Sequence, residues 1–125
     1  FCFIDHMGPS EIGEGVFLNV DQHPHIGLCT LTYLLEGEID HRDSTGAVQT
    51  VTAGSVNLMI AGKGVTHTER TPEHARFAPR HLIHGYQVWI ALPVEQEEAE
   101  PRFVHISKHE LPGWERWFFL YISCR

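Results

Sequence analysis

The sequence predicts an all-β domain, and three observations carry that expectation. Short apolar segments rich in Val, Ile, Leu, Thr, Tyr and Phe recur along the chain. Turns bearing glycine separate them at intervals of about 8 to 12 residues, the rhythm of sandwiches and barrels. Helical periodicity is nearly absent.

Taken in order, "GVFLNV" (15–20) is a short apolar strand bounded by glycine. "LCTLTYLLEGEIDHRD" (28–43) reads as a long strand, and Gly37 interrupts it as a bulge or bend would. "DSTG" (43–46) is a turn signal, so "AVQTV" (47–51) returns as the second arm of a hairpin. A further turn at 53–55 leads to the strand "VNLMI" (56–60), and "AGKGVTHTER" (61–70) re-enters a strand near Val65. "TPEHARFAPRHLIH" (71–84) fits neither period and is expected to be a long loop. "GYQVWIAL" (85–92) and "RFVHIS" (102–107) are strands, with the acidic linker "VEQEEAE" (94–100) framed between Pro93 and Pro101.

Composition narrows the setting. A chain of 125 residues is the size of one domain and can bury a real core. No apolar run approaches the ~18 residues that would span a bilayer, so no membrane role is expected. Residues 1–10 lack the basic and apolar regions of a leader, and the chain opens on Phe1 rather than methionine, which suggests that residues precede it. Nine Lys and Arg against 16 Asp and Glu leave a net charge of −7, which repels phosphate backbones and argues against direct nucleic-acid binding. The three cysteines, Cys2, Cys29 and Cys124, are far apart and never in CxxC spacing. That pattern fits a reducing, cytoplasmic setting better than a disulfide framework.

The anomaly is histidine, with ten residues spread over the chain. In "HPH", His23 and His25 stand at i and i+2; in "HTE", His67 and Glu69 repeat that spacing. On an extended backbone such residues point to one face. If the two strands lie side by side, three imidazoles and one carboxylate converge. That donor set suits iron, manganese, nickel, copper or zinc and is too rich in nitrogen for magnesium or calcium. Protons compete with metal for the imidazoles, whose ordinary pKa is ~6.5, while Glu69, ordinarily near ~4.3, is expected to play little part in acid loss. His41 reads as an exposed strand residue; His74, His81 and His84 flank the expected loop; His6, His105 and His109 have no partner at meaningful spacing. Arg76 and Arg80 read as solvated loop charges.

Four blocks in the chain, "HPHIG" (23–27), "TYLLEGEIDHRDSTG" (32–46), "AGSVNLMIAGKGVTHTE" (53–69) and "GYQVWIALP" (85–93), resemble in content and order the N-terminal cupin domain of pirin and the bacterial pirin-related proteins. The resemblance covers roughly residues 3 to 112. It implies a single cupin barrel, a double-stranded β-helix or jelly roll, over residues 1–112. It also implies one divalent transition metal, iron(II) first, held at His23, His25, His67 and Glu69. Some pirins oxidise the flavonol quercetin with dioxygen, and the vertebrate protein is a nuclear transcriptional co-regulator. A quercetin 2,3-dioxygenase-like oxidoreductase acting on a small aromatic substrate is therefore one expectation. A metal-binding, redox-sensing regulatory protein with a protein partner is the other.

Two departures bear on that choice. The general cupin pattern has a glutamate four residues after the second histidine, where this chain has Cys29. A carboxylate beside the metal could act as a base toward a flavonol hydroxyl, so its loss favours the non-catalytic reading. Pirins also carry a second barrel, whereas residues 113–125 form a divergent apolar tail with Trp114, Trp117, Phe118, Phe119, Leu120, Tyr121 and Ile122. Such a patch predicts a homodimer contact.

Overall fold

The computed structural model describes residues 1–112, so the expectation for the tail at 113–125 lies outside the described residues. Nine strands are seen there: β1 (Phe3–Ile12), β2 (Asn19–His25), β3 (Leu28–Glu36), β4 (Glu38–Asp43), β5 (Val48–Thr52), β6 (Val56–Ile60), β7 (Val65–Arg70), β8 (His81–Ala91) and β9 (Arg102–Ile106). They form a five-stranded sheet of order β1-β8-β3-β6-β9 and a four-stranded sheet of order β2-β7-β4-β5. Every pairing is antiparallel. This is the all-β, two-sheet cupin barrel that the sequence predicts.

The inner faces meet in two apolar clusters. Ile12, Leu34 and Ile83 from the five-stranded sheet pack with Ile39 and Val51 from the other, and Met59 with Ala61, Val65 and Phe103. Gly37 is where the long strand expected over 28–43 divides, β3 staying in one sheet and β4 crossing to the other. Its φ is +82°, and a Cβ there would lie 2.7 Å from the Leu82 carbonyl oxygen, so only glycine fits the crossing.

The outer face of the five-stranded sheet is also apolar. Register aligns Ile4, Val88, Leu31, Leu58 and Val104 in one row across its five strands. Cys29, Leu31, Val56 and Leu58 form a buried cluster on that side, with Leu92, Ile106 and Leu111 against it.

Three expectations need correction. The strand expected at 15–20 begins instead at Asn19 and carries the histidine pair itself. Residues 71–84 are not one long loop: a single helical turn, α1 (Glu73–Arg76), is followed by strand from His81. β1 was not read as a strand because "FIDHMGPSEI" has no clean alternation; it is an edge strand, where proline and a register shift between Met7 and Ser10 are tolerated. The linker at 94–100 contributes only a 3-10 turn at Val94–Gln96. Arg80 pairs with Glu11 and Glu14, and Arg76 donates to the Thr71 carbonyl, so both are engaged within the fold. Among the described residues no helix is long and apolar enough to cross a membrane.

Candidate metal centre

β2 and β7 are adjacent and antiparallel, with His23 opposite His67. The structure brings His23, His25 and His67 together, while Glu69 groups with His67 and His41 rather than with His23 and His25. Donor atoms of His23, His25 and His67 lie within 4.8 Å of one another, as do those of His41, His67 and Glu69. The ring centroids of His23 and His67 are 4.3 Å apart, those of His25 and His67 5.0 Å.

Hydrogen bonds specify which nitrogens face inward. The His23 Nδ1 lies 2.8 Å from the Asp21 carbonyl oxygen, and donating there leaves the Nε2 lone pair available. The Nε2 atoms of His25 and His67 are buried and have no hydrogen-bond partner. A buried polar atom left in that state costs about 1–3 kcal/mol, which a bound metal ion relieves. Orphaned imidazole nitrogens beside a carboxylate are what a transition metal requires, so these residues fit one.

Electrostatics point the same way. Burial, and then the charges of His23, His41 and His25, push the His67 pKa from 6.5 down to about 3. Burial, followed by His23, also lowers that of His25. Both rings are therefore neutral at physiological pH, the form a metal binds. Burial raises the Glu69 carboxyl above its usual range, with the Asp5 charge adding to it, despite His23 and a hydrogen bond from Gln87. At 8% exposure Glu69 thus takes up a proton more readily than an exposed glutamate.

Several residues of this cluster escaped the sequence. His41, expected to be exposed, is only 5% exposed and lies against His67, its Nδ1 3.3 Å from the His67 Nδ1. Its Nε2 lies 3.0 Å from Asp43 Oδ2. The signal was present, since His41 and Asp43 repeat the i, i+2 spacing of the other two pairs. Gln87 donates through Nε2 to Glu69 Oε1 at 2.6 Å, and the Trp89 indole donates to Gln87 Oε1 at 3.1 Å, which settles the amide's orientation. Trp89 also stands edge-on to His25 at 4.8 Å. Among the other histidines, His6 meets His84 at the surface, His74 meets Glu38 and His105 meets Asn57.

The inference drawn from Cys29 also needs revision. Thr32 contacts Gln87 on the inner face, so by strand alternation Thr30 and Thr32 point inward while Cys29 and Leu31 point outward. Position 29 faces away from the donor cluster, and the residue type there cannot decide whether the site has a base.

Comparison with known proteins agrees with the geometry. The family model described as Pirin matches residues 1–90. A pirin-like protein of Caulobacter vibrioides is 48% identical over 118 residues, covering 92% of this chain and 40% of the relative. A crystal structure described as quercetin 2,3-dioxygenase from Acinetobacter baumannii superposes with a TM-score of 0.81 at 42% identity, over 92% of this chain and 36% of that one. The bacterial pirin YhhW of Escherichia coli, solved in complex with nickel(II), gives 0.61 at 34% identity, over 77% of this chain and 38% of that one. The chain spans 34% and 40% of the length of the first curated relatives it matches.

Proposed function

The chain belongs to the Pirin family, and from that premise we propose that it holds one divalent transition metal at His23, His25, His67 and Glu69 and oxidises a quercetin-type flavonol with dioxygen. The observation that carries the metal reading is the pair of buried, unpartnered Nε2 atoms on His25 and His67, with His23 close to both and Glu69 close to His67. Iron(II) is the first expectation for the metal, with manganese, nickel, copper and zinc as alternatives. The likeness to the Acinetobacter structure supports the choice of substrate.

When bound, such a metal supplies Lewis-acid activation of a substrate oxygen. The chain's own contributions are separate. His23, His25, His67 and Glu69 would hold the ion, and Gln87 keeps the Glu69 carboxylate turned to one side through Oε1. A cavity of 370 Å³, lined by Asp5, Met7, Ile12, Phe17, Leu18 and Ile83 among others, offers apolar walls to an aromatic ring. Its lining includes Asp5, which lies opposite Gln87 in register and whose charge acts on Glu69. On this reading the Asp5 carboxylate would accept a hydrogen bond from a substrate hydroxyl.

The test is aerobic incubation of metal-loaded protein with quercetin, following flavonol absorbance and dioxygen uptake together. Turnover that disappears in His23→Ala and Glu69→Gln supports the reading. Stoichiometric metal with no turnover for any of the five metals refutes the oxygenase part and leaves a metal-binding regulatory protein. Absence of bound metal refutes the whole.

A further inference from the structure

Behind His67, one of the four expected ligands, lie two further buried polar side chains, His41 and Asp43. We propose that Asp43 and His41 are positioning residues of the metal centre: a buried hydrogen-bond chain from Asp43 through His41 fixes His67 in the tautomer that presents Nε2 to the metal. This rests on the metal-binding reading above and adds to it the device that makes His67 competent.

The chain can be followed proton by proton. Asp43 has no exposed side-chain surface. Its Oδ1 accepts the Thr45 N–H at 2.8 Å, the Thr45 hydroxyl at 2.6 Å and the Ala47 N–H at 3.2 Å. Those donors leave Oδ2 to face His41 Nε2 at 3.0 Å. A carboxylate can only accept, so His41 carries its proton on Nε2 and its Nδ1 is an acceptor. That Nδ1 faces His67 Nδ1 at 3.3 Å, and two neutral imidazoles bond across that contact only if His67 donates. His67 therefore keeps its proton on Nδ1, which leaves Nε2 unprotonated, buried and without a partner. Phe103 stacks on His41 at 4.5 Å and holds the ring in place.

His41 is unsuited to the alternative role of a ligand. Both of its nitrogens are engaged, so ligation would break either the Asp43 or the His67 bond. Carboxylate–histidine pairs that orient a ligand imidazole are a general feature of metal sites, and losing the outer partner typically weakens binding by 10–100-fold. Here the outer partner is one histidine further away. The "DSTG" segment, legible in the sequence only as a turn, becomes the anchor of the site, because the turn's own N–H and O–H groups orient the Asp43 carboxylate.

Asp43→Asn tests this with little change of shape. Thr45 and Ala47 still require an acceptor at Oδ1, so the amide nitrogen takes the place of Oδ2 and donates toward His41 Nε2. His41 must then move its proton to Nδ1, and His67 must move its own to Nε2. The readout is the histidine tautomer by two-dimensional ¹⁵N–¹H NMR of metal-free protein at pH 7.5, with zinc(II) affinity measured in parallel by competition titration. The expected result is Nδ1–H on His67 in wild type, Nε2–H in Asp43→Asn, and zinc(II) affinity about 10–100-fold weaker in the variant. Nε2–H on His67 in the wild-type protein overturns the proposal without any variant. So does an Asp43→Asn protein that binds zinc(II) as tightly as wild type, or a zinc-bound wild type in which His41 has lost its Nε2–H proton. Wild-type protein that binds no zinc(II) and no other metal overturns the metal reading instead, and is recognised as such because the tautomers are read in its absence.

Discussion

Acidification should destabilise the metal-free protein through His67 in particular. The folded-state pKa of His67 is pushed from 6.5 down to about 3. At pH 5 an unfolded imidazole of ordinary pKa ~6.5 is about 97% protonated, whereas the folded one is only about 1% protonated. The unfolded state binds more protons, so stability falls with pH, beginning near 6.5 and continuing to about 3. Integrated between pH 7.5 and 5, that one group removes about 2 kcal/mol. His67 is 1% exposed, so solvent screening takes little from this figure. His25 and His41, both lowered chiefly by burial, act in the same direction. Glu69 opposes them, because a carboxyl raised by burial gains stability as it protonates. The assay is urea unfolding of chelator-treated wild type and His67→Gln at pH 7.5 and pH 5, each protein compared with itself. The variant should lose about 2 kcal/mol less than wild type over that interval. If the two losses agree within about 0.5 kcal/mol, the scatter of ordinary surface substitutions, the assignment of His67 as a neutral buried ring is refuted.

Other outcomes follow from the same geometry. Gln87→Ala strands the Trp89 indole N–H and removes the Glu69 partner, so it should cost about 1–3 kcal/mol in urea unfolding and weaken metal binding. A variant of full stability would show that those hydrogen bonds are replaced by water. Cys29→Ala should lower stability but leave metal affinity unchanged, since position 29 faces the outer apolar cluster; a tenfold loss of affinity would reverse that orientation. Gly37→Ala should destabilise by about 1–3 kcal/mol, because the alanine Cβ meets the Leu82 carbonyl at 2.7 Å in a left-handed backbone; an unchanged denaturation midpoint would argue against the crossing described at that residue.

How much of this was legible in the sequence depended on what each residue's signal measures. That His23 and His25, and His67 and Glu69, share a strand face was readable because strand periodicity is local: two residues apart means one face, whatever the rest of the fold does. That β2 and β7 are neighbours is not local, and only the resemblance to a known family supplied it. His41 and Asp43 carried the same spacing, yet the adjoining turn signal made them read as hairpin surface. Burial is set by what lies opposite, here Phe103 and His67, and no window along the chain contains that information. Cys29 failed differently. Counting four residues from His25 ignored Gly27, which has φ +66° and separates β2 from β3, so the inward face of one strand cannot be counted through to the next. β1 and the start of β8 were missed because "DHMGPSE" and "HLIH" break alternation. Pairing with each other, and for β8 with β3 on its other edge, makes them strands.

The proposed centre holds one metal ion through His23, His25, His67 and Glu69. Its most direct test is metal content after dialysis against a defined divalent metal at pH 7.5, on wild type, His67→Ala and His109→Ala. Wild type and His109→Ala should each hold one equivalent, while His67→Ala should be depleted. If His109→Ala loses metal as readily as His67→Ala, or if wild type holds none, the four-ligand centre is contradicted.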